Sequence, residues 1–232
     1  MGWPARVADV NNDGWNDVLA YASGTQLFVN LGDGDGRVSS PQYIGSFGQS
    51  EIGVADFAHD GFPDLVSTAG DILVILSDAG TFLPPTDSLP ANSGAFALGR
   101  FGPGLQLAVA DNGQSALDLM SVDSTTGFAT TVSSSSIDTE GSQAIALDLN
   151  GDDLDDVVTF GGASIGVSIN LGDGGLADAV DFVVPGASGP AIYGVQAISG
   201  GDLNGDGAPD VAVFIGGNNA SAPFVQMLNS CP

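Results

Sequence analysis

Apolar residues in this chain come in short bursts. Alternating stretches, such as Ile52 to Phe57, Ala95 to Phe101 and Ala144 to Leu149, run into polar loops, and β-branched runs leave those loops at Val18 to Tyr21, Leu65 to Thr68, Val157 to Phe160 and Val211 to Ile215. A Gly or Asp turn follows, then a third apolar run: Leu27 to Leu31, Ile72 to Leu76, Ala116 to Val122, Ile165 to Leu171, Phe224 to Leu228. Runs of about four to eight residues punctuated by Gly, Asn, Asp and Ser read as strands joined by hairpins, and no stretch sustains the roughly 3.6-residue period of a helix.

The pattern recurs along the chain. Asp9-Val-Asn-Asn-Asp-Gly-Trp-Asn-Asp17, Asp56-Phe-Ala-His-Asp-Gly-Phe-Pro-Asp64, Asp148-Leu-Asn-Gly-Asp-Asp-Leu-Asp-Asp156 and Asp202-Leu-Asn-Gly-Asp-Gly-Ala-Pro-Asp210 start 47, 92 and 54 residues apart. The long interval holds a worn copy, Gly99-Arg-Phe-Gly-Pro-Gly-Leu-Gln-Leu107, which keeps the apolar flanks without the aspartates. Five units of about 46 residues fill a single repeat domain over 1–232, divided near 1–50, 51–93, 94–141, 142–190 and 191–232. Three or four short strands per unit at a period in the forties predict an all-β propeller of about five blades, or an open arc of a larger one.

Charge narrows the function. The chain carries 28 acidic residues against three arginines, for a net charge of −25. With no lysine and no basic cluster, nucleic acid and anionic membrane surfaces are repelled partners. Only Glu51 and Glu140 among the acids are Glu, and the aspartates are concentrated where the turns fall. No uninterrupted apolar run is longer than that of Ile72 to Leu76, far short of the roughly 20 residues that span a bilayer, and no basic segment followed by an apolar stretch opens the sequence. Cys231 is the single cysteine, so no disulfide closes within the chain.

The Asp-x-Asn-x-Asp-Gly-x-x-Asp loops followed by apolar strands resemble the FG-GAP or VCBS repeat. So does Asn-Leu-Gly-Asp-Gly, found at Asn30 to Gly34 and again at Asn170 to Gly174. Such repeats occur in integrin α-subunit propellers, in some fungal lectins and in many bacterial secreted proteins. The resemblance implies calcium loops between the first two strands of most blades and an address outside the cell or on its surface.

A hard divalent cation takes six to eight oxygens, and alternate residues of a tight loop can aim them at one centre. Asp9, Asn11, Asp13 and Asp17 supply such side chains, with the Trp15 carbonyl as a fifth ligand; Asp148, Asn150, Asp152 and Asp156 repeat this with Leu154, and Asp202, Asn204, Asp206 and Asp210 with Ala208. The second loop has Asp56, Asp60, the Phe62 carbonyl and Asp64, but Ala58 replaces the Asn, which makes it a weaker fourth site. Three clustered carboxylates repel one another strongly unless a cation joins them. An oxygen-only donor set in a chain with one His and one Cys favours Ca2+ over zinc, and over magnesium with its stricter geometry. An EF-hand is excluded, because Ala20, Thr159 and Val213 stand where its twelfth-position Glu belongs. The ions are expected to be structural, in sites buried between two strands, and three of them would move the net charge from −25 to about −19. In the worn copy Arg100 replaces the first Asp and can put a fixed cation where the ion would sit.

The remaining candidates are weaker. His59 lies inside the second loop and reads as a surface side chain rather than a catalytic base, and neither Cys231 nor any carboxylate pair stands out as catalytic machinery. Trp3, Trp15, Tyr21, Tyr43 and Tyr193 can stack on sugar rings, although Trp15 and Phe62 share a loop position that suggests packing between blades. Asn219-Ala-Ser221 matches a glycosylation triplet. The fifth unit carries three predicted strands where the fourth has another near Ala179 to Val184, leaving an edge open to self-association or a partner. The expected function is a non-catalytic binding or adhesion module for a glycan or protein; the alternatives are a subunit of a surface assembly and a piece of a polysaccharide lyase or hydrolase.

Overall fold

Short strands and turns, with no helix among the described residues, make up the computed structural model of the chain. It describes residues 5–22, 25–47, 51–68, 71–78, 80–90, 93–102, 104–138, 142–187, 195–216, 224–227 and 229. Trp3, Glu140, Tyr193, the Asn219 triplet, Leu228 and Cys231 lie outside them.

Each repeat becomes one antiparallel sheet whose strands pair in sequence order. The first joins Ala5–Ala8, Asp17–Ala22, Gln26–Asn30 and Gln42–Ser46, and the second joins Ile52–Ala55, Asp64–Thr68, Asp71–Ile75 and Thr86–Pro90. The third comprises Ser93–Gly99, Gln106–Asp111, Ala116–Val122 and Ala129–Ser136; the fourth comprises Gln143–Leu147, Asp156–Gly161, Ser164–Ser168 and Val180–Val183. In the fifth, Val195–Gly201, Asp210–Ile215 and Phe224–Met227 are the strands among the described residues. The polar loops therefore join first strands to second strands, as the repeat predicts.

Burial explains the run types. Second strands of the third and fourth sheets are almost wholly buried, which is why Gln106–Asp111 and Asp156–Gly161 lack a polar alternation, whereas the outer strand Val180–Val183 is exposed throughout. A small hairpin, Ser77–Asp78 with Thr81–Phe82, follows the third strand of the second sheet and has no forerunner in the apolar pattern.

The chain divides into two compact units. One is Met1–Ser93 with Val122–Thr130, and its core gathers Leu19, Leu27, Ile52, Leu65 and Ile75. The other is Gly94–Ser121 with Thr131–Pro232 and holds two clusters, one around Phe101, Leu117, Leu119 and Val157, the other around Val158, Ile198, Val211 and Val213. Burying each such side chain contributes about 1.5–3 kcal/mol.

Candidate metal-binding loops

The four nine-residue loops share one backbone. Positions 4 and 6 are left-handed in all of them: Asn12 and Gly14 (φ +58° and +89°), His59 and Gly61 (+57° and +89°), Gly151 and Asp153 (+78° and +69°), Gly205 and Gly207 (+81° and +89°). Glycine reaches this region freely, and Asn, Asp or His enters it more readily than other residues, so the choice of these residue types at positions 4 and 6 encodes the loop's path.

The path folds three side chains inward. In the first loop the Asp13 N–H donates to both Asp9 Oδ1 and Asn11 Oδ1, each at 3.1 Å. Asp152 N–H does the same to Asp148 Oδ1 (3.1 Å) and Asn150 Oδ1 (3.0 Å), and Asp206 N–H to Asp202 Oδ1 (3.2 Å) and Asn204 Oδ1 (2.8 Å). With Ala58 at position 3, the Asp60 N–H keeps only Asp56 Oδ1, at 3.2 Å. The position-5 carboxylate in turn accepts the N–H of position 7, at 2.9 Å in Trp15, Phe62, Leu154 and Ala208. In the three complete loops the Asn Nδ2 also donates to the outer oxygen of that carboxylate, at 2.9 Å.

Position 9 does something different. Asp17, Asp64, Asp156 and Asp210 are each 0% exposed. One oxygen accepts the N–H of loop position 2, from Val10 (2.9 Å), Phe57 (2.7 Å), Leu149 (2.9 Å) or Leu203 (2.9 Å). The other accepts an N–H just beyond the third strand, from Gly32 (2.8 Å), Ser77 (2.6 Å), Asn170 (2.7 Å) or Asn229 (2.8 Å). The carboxylate thus ties its loop to the end of the third strand. Burial pushes the Asp156 carboxyl above its usual range; the Asn170 and Leu149 N–H groups oppose this, and the neighbouring charges of Asp152 and Asp148 add to it. Asp64 is raised for the same chief reason, while exposed Asp202 is lowered by backbone donors, Gly207 first.

Position 5 is exposed in all four loops, and of the five ligand positions only position 9 is buried. This corrects the expectation of sites buried between strands: of the ligand residues, only the last of each loop is sunk into the sheet. Among the described residues, no group of three or more Asp, Glu, His or Cys side chains stands close enough to hold a metal ion as placed. The oxygen-rich donor set still suits a hard cation. In the three complete loops the oxygens of positions 1 and 3 meet at the position-5 N–H, and a carboxylate oxygen that already accepts one N–H retains a second lone pair.

The worn loop is shorter, running from Arg100 to Gln106, the residue that opens the second strand as Asp156 does. Gln106 Oε1 is buried without a partner. Arg100 works through its backbone: its N–H donates to Asp155 Oδ2 (2.6 Å) and its carbonyl accepts Asp155 N–H (3.0 Å). The one ion pair among the described residues is Arg6 with Glu51 at 3.0 Å, so the exposed Arg100 guanidinium meets no carboxylate there.

One reading of the sequence changes. The identical pentapeptides at Asn30 and Asn170 are not equivalent, because Asn170 N–H takes the place of Gly32 N–H. The bridges Gly32 to Val38 and Asn170 to Leu176 share this offset, as do the left-handed pairs Gly34/Gly36 and Gly172/Gly174. Trp15 packs within its own sheet, its ring lying where a Gly34 Cβ would come within 2.6 Å. The side chain is nonetheless 52% exposed. The bridging amides were missed altogether. Asn170 Nδ2 reaches the Phe101 carbonyl at 3.0 Å and Asn229 Nδ2 the Leu149 carbonyl at 2.6 Å, and only the sheet register reveals that the two are equivalent.

The FG-GAP-like repeat model matches residues 9–67 and 148–213, together just over half of the chain, and these spans contain all four nine-residue loops. No curated protein matches. Among solved structures, an Agrocybe aegerita lectin described as recognising non-reducing terminal N-acetylglucosamine is similar, with TM-score 0.63 and 17% identity over 99% of this chain and 66% of that one. BBS1N in complex with ARL6DN is similar in a mercury-soaked crystal (TM-score 0.61, 13% identity, 97% and 65% covered) and a lead-soaked one (0.59, 11%, 92% and 62%). The chain thus spans about two thirds of each matched structure.

Proposed function

Because the chain belongs to the FG-GAP-like repeat family, we propose that it is a calcium-stapled, non-catalytic recognition module working outside the cell, with its sheets as blades of a propeller or propeller arc. One observation carries the reading: the same left-handed positions and the same inward-turned oxygens recur in four loops of differing sequence. Asp9, Asn11 and Asp13, with their counterparts at 148–152 and 202–206, would hold the ion, and Asp17, Asp156 and Asp210 would close the site from the strand side. The second loop, without the Asn, would bind more weakly. A bound calcium would supply only charge neutralisation, joining carboxylates that otherwise repel one another. Millimolar extracellular calcium is sufficient for sites of this class.

A glycan is the ligand class best supported. One similar structure is that of a lectin, and Trp15 presents an aromatic face that is half exposed yet held in place by Gly34. Such a face stacks on a sugar ring with little loss of side-chain freedom. The test pairs a calcium titration by calorimetry with a glycan array. Calcium uptake at three sites, with retained sugars released unaltered, supports the reading; a chain that takes up no calcium and whose melting temperature ignores EDTA would falsify its metal half. A second reading, assembly through a sheet edge, is favoured by the outer strand Val180–Val183, where Val180, Phe182 and Val183 are all exposed. Mass in solution decides that question.

A further inference from the structure

Gly32, Ser77, Asn170 and Asn229 occupy the same place after the third strands of their sheets, each donating its N–H to a buried loop-closing aspartate. Their side chains differ, and the differences fall on the links between loops. Asn229 donates its N–H to Asp210 Oδ1 (2.8 Å) and its Nδ2 to the Leu149 carbonyl (2.6 Å), while Leu149 N–H donates to Asp156 Oδ2 (2.9 Å). The closing carboxylates of the fifth and fourth loops are therefore the two ends of one hydrogen-bonded line through a single asparagine.

The other positions lack this line. Gly32 has no side chain, and a Cβ there would collide with the Asn16 carbonyl. Ser77 Oγ is buried with no partner. Asn170 makes the same reach as Asn229, but to the Phe101 carbonyl of the worn loop, where no carboxylate set awaits a cation.

We propose that Asn229 couples the fourth and fifth loops, so that they take up calcium with positive cooperativity. The coupling rests on the reading of the loops as calcium sites. Asn229 bridges only when both Asp210 and the Leu149 carbonyl are in place, so fixing either end raises the population in which the other is fixed, and the effect is reciprocal. Its sign is diagnostic. Charge alone works the other way, since two positive charges added to the fifth loop weaken the pull of the fourth on its own ion.

The experiment follows the Gly151 and Gly205 amide resonances during calcium titration of the full chain, comparing the unaltered protein with Asp206→Ala, which disables the fifth loop. Losing the fifth site is expected to weaken calcium binding at the fourth about threefold to tenfold, the worth of one net hydrogen bond. In an Asn229→Ala background, Asp206→Ala should leave the fourth loop's affinity unchanged or slightly raised. Asn229→Ser, which imitates Ser77 and keeps the backbone donor, replaces the alanine variant if that fails to fold. A fourth loop whose affinity ignores Asp206→Ala while Asn229 is intact overturns the coupling alone. A chain that binds no calcium at any loop overturns the metal reading and the coupling with it.

Discussion

The loops at 148–156 and 100–106 leave first strands and enter second strands at equivalent points of consecutive sheets, yet they are held in opposite ways. In the fourth sheet Asp156 is buried with both oxygens satisfied by backbone donors; in the third, Gln106 occupies the same place with a buried oxygen that no donor meets. Where the third loop has lost its own aspartates, Asp155 supplies an acid from outside and grips the Arg100 backbone at 2.6 Å. The difference separates two tasks within the repeat. The ninth residue holds the chain path through hydrogen bonds even before any ion that it would help to close in, and the first five gather oxygens.

The largest effect should come from removing the hold itself. Asp156→Ala leaves the buried Leu149 and Asn170 N–H groups without acceptors, a loss expected to cost about 3–5 kcal/mol. Gln106→Leu, at the matching position, removes an unsatisfied buried oxygen and should stabilise the chain by about 1 kcal/mol. Urea denaturation in EDTA measures both. Equal losses from the two variants would break the contrast.

The gathering task should be separable from the hold. With calcium about a hundredfold above the dissociation constant, each filled site adds about 2.7 kcal/mol, and EDTA removes it. Asp152→Ala at exposed position 5 should abolish one such increment while shifting stability in EDTA by about 0.5 kcal/mol or less. Denaturation midpoints with and without chelator read out the two parts. A variant equally weakened in both conditions would show that position 5 holds the fold as position 9 does.

Much of the strand order was legible in the sequence while this division of tasks was not, and the gaps have physical causes. Strand positions follow from the apolar bursts because each sheet is a simple meander, so local pattern and pairing agree. The worn copy also showed itself, through its surviving flanks. The burial of Asp17, Asp64, Asp156 and Asp210 was not legible, because a carboxylate satisfied by two backbone donors looks the same in sequence as an exposed ligand. The two Asn-Leu-Gly-Asp-Gly segments misled for a related reason. Gly34-Asp-Gly36 repeats the Gly-Asp-Gly of Gly172 to Gly174, and only the pairing of Val18 with Asn30 and of Val157 with Ser168 shows which copy is equivalent. Bridges such as Asn229 to Leu149 span 80 residues, beyond the reach of any local motif.

The smallest effect tests the path within the fourth loop. Asp153 holds φ +69° where Gly14, Gly61 and Gly207 hold +89°, so a side chain sits at a position that three sister loops give to glycine. Its N–H donates to Asp148 Oδ2 at 2.9 Å, a bond that glycine keeps. Asp153→Gly therefore relieves a left-handed non-glycine residue without removing a backbone bond, and also removes one charge from a chain at −25. Greater freedom of glycine in the unfolded chain offsets part of the gain, leaving a net stabilisation of about 0.5–1 kcal/mol. Because the residue belongs to the path and not to the gathered oxygens, the gain should be the same with calcium and with EDTA. A gain confined to the calcium-bound chain would mean that the loop adopts its left-handed path only around the ion, and that path and ligation are one task after all.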